Sequence, residues 1–255
     1  MASCDPAPQL PGLLITRPWE QGMALARRIA DEGGQAWRFP TIEISALPLD
    51  EGWVNDVLAS ADWLVFISAN AVQQGWPLVQ RGPMRPRRLA AVGRATANRL
   101  MSVSQQSVLF PSQGADSEAL LALPELAQMN RQEVVIVRGR GGREWLKLAL
   151  EARGARVRYL ECYERRLPQP DLAILDEALS RHALVSVQST EALHNLWQLA
   201  GETRHSVLQQ RTFLVPHPRV AKAALNLGAT LAQVTGPGED ALVDFWKNLK
   251  QHHHE

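Results

Sequence analysis

The chain has 255 residues, and its 27 basic and 26 acidic residues leave a formal net charge of +1 at pH 7. A nearly neutral chain has no overall field that would attract nucleic acid or an anionic membrane surface. Its length suffices for two modest domains with separate cores. The two cysteines, Cys4 and Cys162, are far apart in sequence, which argues against a disulfide framework and favours the cytoplasm. Residues 1–12 also lack the basic start and continuous apolar middle of a signal peptide.

An apolar run that ends abruptly in small, hydroxylated or basic residues recurs along the chain. The segments are LLITRP at 13–18, DWLVFISANAV at 62–72, RLAAVGRATA at 88–97, EVVIVRGRGG at 133–142 and ALVSVQSTEA at 183–192. Each predicts a buried strand followed by a helix. In an open parallel sheet, ligands bind beyond the carboxyl ends of the strands, where helix N-termini present unpaired N–H groups. These turns therefore predict a site for an anionic ligand.

The opposite transition, from helix to strand, follows a second pattern. Helical stretches end at Gly34, Gly154 and Gly228, the residue type that most easily adopts the left-handed conformation, and short strands follow at once. Roughly nine strand-to-helix steps predict parallel sheets with helices on both faces. That number exceeds a single flavodoxin-like sheet of about five strands, so two domains are favoured.

Two extended segments depart from this pattern. They are FPTIEISALP at 39–48 and YLECYERRLP at 159–168, and each runs into a proline. We interpret them either as edge strands or as connectors between domains. If both are connectors, the residues between them form one inserted domain and the two ends of the chain form the other.

Several polar side chains at the predicted turns have both a structural and a ligand-binding interpretation. Ser68 and Asn70 suit a helix cap and a ligand contact equally well. Thr96 lies one turn into a helix that begins near Gly93, so its hydroxyl either bonds to that first turn or faces the ligand.

The segment VRGRGGRE at 137–144 combines flexible glycines with arginines. Its backbone N–H groups and the guanidinium groups of Arg138 and Arg143 suit a carboxylate, with solvent-exposed ion pairs as the alternative. It lacks the GKS or GKT ending of a phosphate loop and the G-x-G-x-x-G spacing of a dinucleotide site. The histidines outside the C-terminal run show no i, i+4 metal pair, and His252, His253 and His254 are interpreted either as a cloning remnant or as a ragged natural end.

The order and spacing of eight motifs resemble the uroporphyrinogen-III synthase family over nearly the whole chain. The motifs are ITRP at 15–18, FPTIEI at 39–44, FISANAV at 66–72, AVGRATA at 91–97, GADSEALL at 114–121, VIVRGRGGREWLKLALEARGARV at 135–157, ECYERR at 161–166 and VQSTEAL at 187–193. The resemblance implies two flavodoxin-like α/β domains, each with a parallel sheet flanked by helices, joined by a two-stranded linker. Residues 1–38 with 167–255 would form domain 1, residues 39–46 and 159–166 the linker, and residues 47–158 the inserted domain 2.

The same resemblance implies a monomeric lyase of porphyrin and heme biosynthesis that needs no cofactor or metal. It would close linear hydroxymethylbilane into uroporphyrinogen III with loss of water and inversion of ring D. The implied partner is this polycarboxylate substrate, with no nucleic acid or membrane and a possible handover from the preceding pathway enzyme. A substrate with many carboxylates suits a site built from helix N-termini.

The family resemblance also supplies the candidate site residues. Tyr163 is the candidate catalytic acid, because a phenol stays protonated at neutral pH and can donate to a departing hydroxyl; packing of the linker strands is the alternative role. The implied substrate-binding residues are Thr16, Arg17, Ser68, Ala69, Asn70, Gly93, Thr96, Arg138, Gly139, Arg143, Ser189 and Thr190. At VPHPRVAKA, 215–223, His217 and Pro218 replace the family's small Ser- or Thr-rich turn.

A second class of protein fits the same pattern. A non-catalytic, hinge-type binding protein for an anionic metabolite would also have two α/β lobes and crossing connectors. The sequence shows no export signal and no DNA-binding module, which favours the enzyme.

Overall fold

The computed structural model describes residues 10–82 and 88–249, and it is an α/β structure throughout. Cys4, most of residues 1–12 and His252–His254 lie outside the described residues. In chain order the elements are β1 (Leu13–Ile15), α1 (Trp19–Asp31), β2 (Ala36–Arg38), β3 (Glu43–Ala46), α2 (Glu51–Ala59), β4 (Trp63–Phe66), α3 (Ala69–Arg81), β5 (Arg88–Ala91), α4 (Arg94–Ser104), β6 (Val108–Leu109), α5 (Ser117–Leu121), a 3-10 turn (Pro124–Leu126), β7 (Glu133–Gly139), α6 (Trp145–Ala152), β8 (Arg156–Arg166), α7 (Leu172–Ser180), β9 (Leu184–Ser186), α8 (Thr190–Ala200), α9 (Glu202–Gln209), β10 (Thr212–Val215), α10 (Pro218–Asn226), β11 (Leu231–Val234) and α11 (Glu239–Asn248).

The described residues divide into two compact units. The two ends of the chain form one, called here the terminal unit, and Ile44–Arg165 form the other, called here the central unit. The chain passes from one unit to the other at residues 43/44 and 165/166, inside the segments 39–46 and 159–166 that the sequence singles out. β3 and β8, which contain these crossings, are neighbours in one sheet, with β3 at its edge.

The terminal unit contains a five-stranded sheet in the order β11-β10-β9-β1-β2. All of its pairings are parallel. Because β2 lies on one side of β1 and β9 on the other, the direction of winding reverses between β1 and β9. Open α/β sheets bind ligands at such a reversal, beyond the carboxyl ends of the strands.

The central unit contains a six-stranded sheet in the order β3-β8-β7-β4-β5-β6. The strands from β4 to β8 pair in parallel, and the winding reverses between β4 and β7. Apolar side chains cover both faces of the sheet: Leu64, Phe66 and Val135 face one buried cluster, and Val65, Val134 and Ile136 face another. The prediction of parallel sheets flanked by helices is therefore confirmed.

The helix-ending glycines agree with the sequence prediction at two of three positions. Gly154 and Gly228 have φ of +91° and +90°, the left-handed values expected at a helix end. The assignment to Gly34 is wrong, since Gly33 carries the positive φ of +78°. Gly34 has a packing role instead, because a Cβ there would lie 2.4 Å from the buried indole of Trp246.

Candidate functional site

A cavity of about 380 Å3 opens in the central unit at the carboxyl ends of its strands. Its lining comes from the residues that follow β4 and β5, from the start of α5, from the end of β7 and its loop, from α6, and from β8. The lining residues are Ile67, Val92, Ala115, Asp116, Ser117, Glu118, Ile136, Arg138, Gly139, Arg140, Gly141, Gly142, Arg143, Leu146, Tyr159, Tyr163 and Arg165. The cavity therefore lies at the β4/β7 reversal, and its volume is within the range of roughly 300–1,000 Å3 typical of ligand pockets.

Two hydroxyl groups meet beside this cavity. The Oγ of Ser68 lies 3.1 Å from the phenol oxygen of Tyr163, and either group can donate. Ser68 is also the N-cap of α3, where its Oγ accepts the N–H of Ala71 at 3.0 Å. When Ser68 donates to the phenol oxygen, the Tyr163 proton is free for another acceptor. The pair can therefore present an acidic proton at the end of β4.

The position of Tyr163 depends on a bulge in β8. Arg138 pairs with Glu161, but the next residue, Gly139, pairs with Tyr163, so Cys162 is an extra residue in the strand. Because side chains alternate along a strand, one extra residue moves Tyr163 to the opposite face. Its ring then lies directly on Gly139, where a Cβ would be 2.6 Å from Cε2. Gly139 is thus needed for close packing against the tyrosine.

Arg138 is almost fully buried, with 3% of its surface exposed. Its guanidinium donates to the carbonyl oxygens of Gly139 at 3.2 Å and Arg143 at 3.3 Å. Gly142, with φ of +97°, leaves room for it, since a Cβ there would lie 2.6 Å from Nη2. The loop after β7 therefore folds over the Arg138 side chain.

A carboxylate of the chain itself binds to this loop. Glu161 accepts the N–H of Gly141 at 3.1 Å and lies 3.9 Å from the Nε of Arg138. The exposed Arg143 side chain, in contrast, makes no hydrogen bond or ion pair recorded among the described residues. Within this loop, Arg143 is the arginine whose charge is most available to a ligand.

The remaining candidates of the central unit lie at the starts of α3 and α4. Ala69 and Asn70 are the first two residues of α3 and are half-buried. Gly93 caps α4, and its lack of a side chain accommodates Ala115, whose Cβ would be 2.7 Å from a Cβ at position 93. Thr96 is the third residue of α4 and is 7% exposed. The structure thus places these residues on the same sheet edge as Ser68.

The terminal unit brings its own candidates together at the β1/β9 reversal. The Thr16 hydroxyl is buried and donates to the carbonyl oxygen of Ser186 at 2.8 Å. Arg17 pairs with Glu239 at 2.7 Å; burial lowers the pKa of its guanidinium, and the Glu239 charge partly offsets this. Both side chains therefore have partners within their own unit.

Two helix starts complete this edge of the terminal unit. Ser189 caps α8 by accepting the Ala192 N–H at 3.1 Å. The Oγ1 of Thr190 is buried and has no hydrogen-bond partner among the described residues. His217 caps α10 through its Nδ1, which accepts the Arg219 N–H at 3.1 Å. An imidazole thus caps α10 in the turn VPHPRVAKA.

Tyr159 lines the cavity and was missed by the sequence reasoning. Tyr159 donates its hydroxyl proton to Glu144 at 2.9 Å, and burial together with the Glu144 carboxylate raises the pKa of this phenol to about 12. The pairing of β7 with β8 offered a signal that Tyr159 lies near the site. In this parallel pair Glu161 lies opposite Arg138, and Tyr159, two residues before Glu161, lies opposite Ile136. That signal required the strand register, which the motifs alone do not provide.

Within residues 10–82 and 88–249, no group of three or more His, Cys, Asp and Glu side chains is arranged to hold a metal ion. Among the described helices, none is long and apolar enough to cross a membrane. Cys162 is buried, and burial raises the pKa of its thiol to about 12. It is therefore protonated and poorly nucleophilic at neutral pH.

Together these features define a two-domain α/β protein whose polar groups gather at the carboxyl edge of each parallel sheet. The family model described as uroporphyrinogen-III synthase HemD matches residues 23–244. The uroporphyrinogen-III synthase of Escherichia coli (strain K12) is 38% identical over 231 residues, which is 85% of this chain and 91% of that protein. The enzyme of the same name from Synechococcus elongatus is 30% identical over 203 residues, 73% of this chain and 74% of that protein.

Solved structures show the same fold. Uroporphyrinogen-III synthetase from Helicobacter pylori superposes with a TM-score of 0.59 at 14% identity, covering 94% of this chain and 99% of that one. A mutant uroporphyrinogen III synthase from Thermus thermophilus gives a TM-score of 0.57 at 19% identity, with the same coverage of 94% and 99%. The chain belongs to the uroporphyrinogen-III synthase family, and the resemblance inferred from the motifs is confirmed.

Proposed function

We propose that this chain is an enzyme that closes hydroxymethylbilane into uroporphyrinogen III, with loss of water and inversion of ring D. Family membership over residues 23–244 is the observation that carries the proposal. The site supports it with a hydroxyl pair, Ser68 and Tyr163, at the edge of a cavity. Because the chain belongs to an enzyme family, the non-catalytic binding protein is no longer favoured.

The proposed reaction begins with departure of the terminal hydroxyl of the substrate. Tyr163, assisted by Ser68, supplies the proton that lets this group leave as water, and a conjugated azafulvene cation remains. The substituted carbon of ring D attacks the cationic carbon and forms a spiro intermediate. Cleavage of the neighbouring bond and recombination reattach ring D in reverse, and loss of a ring proton restores the pyrrole and balances the proton supplied at the start.

The protein's main contribution in this scheme is to hold the substrate in one conformation. The linear substrate also closes without help to the isomer whose ring D is not inverted, so the competing reaction must be suppressed by geometry. Positioning alone can supply a large part of a rate enhancement. The strand-end residues of both units, among them Ser189 and Thr190 in the terminal unit, are the proposed carboxylate contacts.

Three finer features belong to the same proposal. The enzyme acts in the cytoplasm, as a monomer, and takes its labile substrate from the enzyme that precedes it in the pathway. The substrate's instability favours this handover, because an unprotected linear molecule would cyclise to the wrong isomer.

A product analysis tests the proposal. Purified protein is given freshly prepared hydroxymethylbilane, and the oxidised products are separated by chromatography with and without a chelator. We expect the type III isomer in both samples. Formation of the type I isomer alone would refute the function, and loss of type III product on chelation would refute metal-independent catalysis.

A further inference from the structure

The buried Arg138 needs compensation for its charge, and its two carboxylate neighbours differ in how firmly they are held. Glu161 is fixed by the N–H of Gly141 at 3.1 Å. Glu144 lies 3.6 Å from Nη1 of Arg138, yet its side chain is 57% exposed. An exposed carboxylate at that distance is readily drawn into solvent, because exposed ion pairs are only weakly stabilising.

Tyr159 supplies the restraint that Glu144 otherwise lacks. Its hydroxyl donates to Oε2 of Glu144 at 2.9 Å, while Oε1 of the same carboxylate faces Arg138. The guanidinium carbon of Arg138 also lies 4.5 Å from the centre of the Tyr159 ring, a cation–π distance. Tyr159 therefore contacts both members of the ion pair.

This arrangement connects Tyr159 to the shape of the cavity. Arg138 holds the loop by donating to the carbonyl oxygens of Gly139 and Arg143, and residues 138–143 line the cavity beside Tyr163. If Glu144 moved away, the buried Arg138 would lose part of its compensating negative charge. Arg138 and the loop that covers its side chain would then move as well.

We propose that Tyr159 is a positioning residue of the reaction, which holds Arg138 and residues 139–143 in their substrate-binding shape through Glu144. Its own proton is committed to Glu144. The raised pKa of about 12 keeps this donor protonated throughout the physiological range. The two tyrosines of the chain thus have separate roles, with Tyr163 at the chemistry and Tyr159 beneath the loop. The inference rests on the proposed function, because the loop matters only if substrate binds there.

The test is steady-state kinetics of Tyr159→Phe, which keeps the ring and removes only the bond to Glu144. Because the loop binds substrate and does not transfer protons, we expect KM for hydroxymethylbilane to rise about fivefold to twentyfold while kcat changes less than about twofold. Glu144→Ala should reproduce this effect. Because it also removes a counter-charge of the buried Arg138, thermal melting is measured alongside to show that the variant is folded. Combining the two changes should add less than about twofold to KM, because both break one connection.

Arg156→Ala provides the matched control. Arg156 is the first residue of β8, three positions before Tyr159; it is exposed and pairs with Glu133 at 3.1 Å. Its loss should leave KM and kcat unchanged. A purely structural role for Tyr159 would lower the melting temperature without this selective rise in KM.

Amide hydrogen exchange gives a readout that does not depend on turnover. We expect amide exchange in the segment 139–143 to accelerate about tenfold in Tyr159→Phe and in Glu144→Ala, with exchange in the rest of β7 unchanged. An unchanged KM in both variants, or effects of the two changes that multiply in full, would overturn the inference. Failure of the wild-type protein to make the type III isomer would instead overturn the proposed function. Unchanged amide exchange in both variants would overturn the positioning role, whatever the outcome of the activity assay.

Discussion

Removal of the Tyr163 hydroxyl separates chemistry from packing most directly. The substitution Tyr163→Phe preserves the ring that packs on Gly139 and deletes only the oxygen that lies 3.1 Å from Ser68. A neutral hydrogen bond of this kind contributes about 0.5–1.5 kcal/mol to folding. For a chain of this size, that corresponds to a drop in melting temperature of roughly 1–6 °C.

The expected loss of activity is larger than this loss of stability. If the phenol protonates the departing hydroxyl, kcat should fall about tenfold to a hundredfold, or about 1.4–2.7 kcal/mol in activation free energy. Water can replace part of the proton donation, which sets the upper limit. Initial rates of type III product are measured together with thermal melting. Full activity in Tyr163→Phe, with a lowered melting temperature in Tyr163→Ala, would refute the catalytic role and leave a structural one.

Ser68 offers a second test of the same hydroxyl pair. Ser68→Gly removes the hydroxyl but costs the α3 cap only a few tenths of a kcal/mol, because glycine is tolerated at an N-cap. If Ser68 acts through Tyr163, kcat should fall about threefold to tenfold in the wild-type background and change little in Tyr163→Phe. Asp50→Ala is the control, since it removes the α2 cap to the Trp53 N–H at 2.8 Å and should lower stability alone. Multiplicative losses in the double variant would contradict the pairing.

Three further outcomes are expected. Gly139→Ala should lower both the melting temperature and kcat, because its Cβ would lie 2.6 Å from the Tyr163 ring; unchanged melting would contradict this packing. Burial raises the pKa of the Cys162 thiol to about 12 in the folded protein, so the unfolded chain loses this proton at lower pH. The free energy of unfolding should therefore fall between about pH 9 and pH 12. Denaturant titrations of Cys162→Ala should show a shallower fall with pH, and an identical pH dependence in both proteins would refute this. If residues 39–46 and 159–166 act as a hinge, the radius of gyration from small-angle scattering should decrease when product binds, and equal radii in both states would refute the hinge.

The sequence predicts the α/β class, the parallel sheets and the strand ends that carry polar residues, because each of these features leaves a local pattern. Apolar runs give the strands, and the small or hydroxylated residues after them give the helix starts, as at Ser68 and Ser189. The shift from Gly34 to Gly33 shows the limit of such reasoning. Local rules require a flexible residue after α1, and Gly33 fills that role, whereas Gly34 leaves room for the indole of Trp246, a residue far away in sequence.

The bulge in β8 could not be predicted for a different reason. It depends on the register between two strands that are distant in sequence, and it decides which face of the sheet receives Tyr163. The connection of Tyr159 to Arg138 through Glu144 has the same origin, since none of the three residues predicts the other two by spacing. Tertiary pairings therefore fixed the details of the candidate site, whereas local patterns only located its edge of the sheet.

The ion-pair partners of the candidate arginines bear on how this family member would bind an anionic substrate. Arg17 and Arg138, both predicted as carboxylate ligands, already face Glu239, Glu144 and Glu161 of their own chain. Their positive charge is therefore largely compensated by carboxylates of their own chain. Backbone N–H groups at the starts of α3 and α8 are better suited to bind carboxylates directly, because the helix dipole favours an anion there and no desolvated ion pair has to be broken. A nearly neutral chain can then bind a strongly acidic substrate.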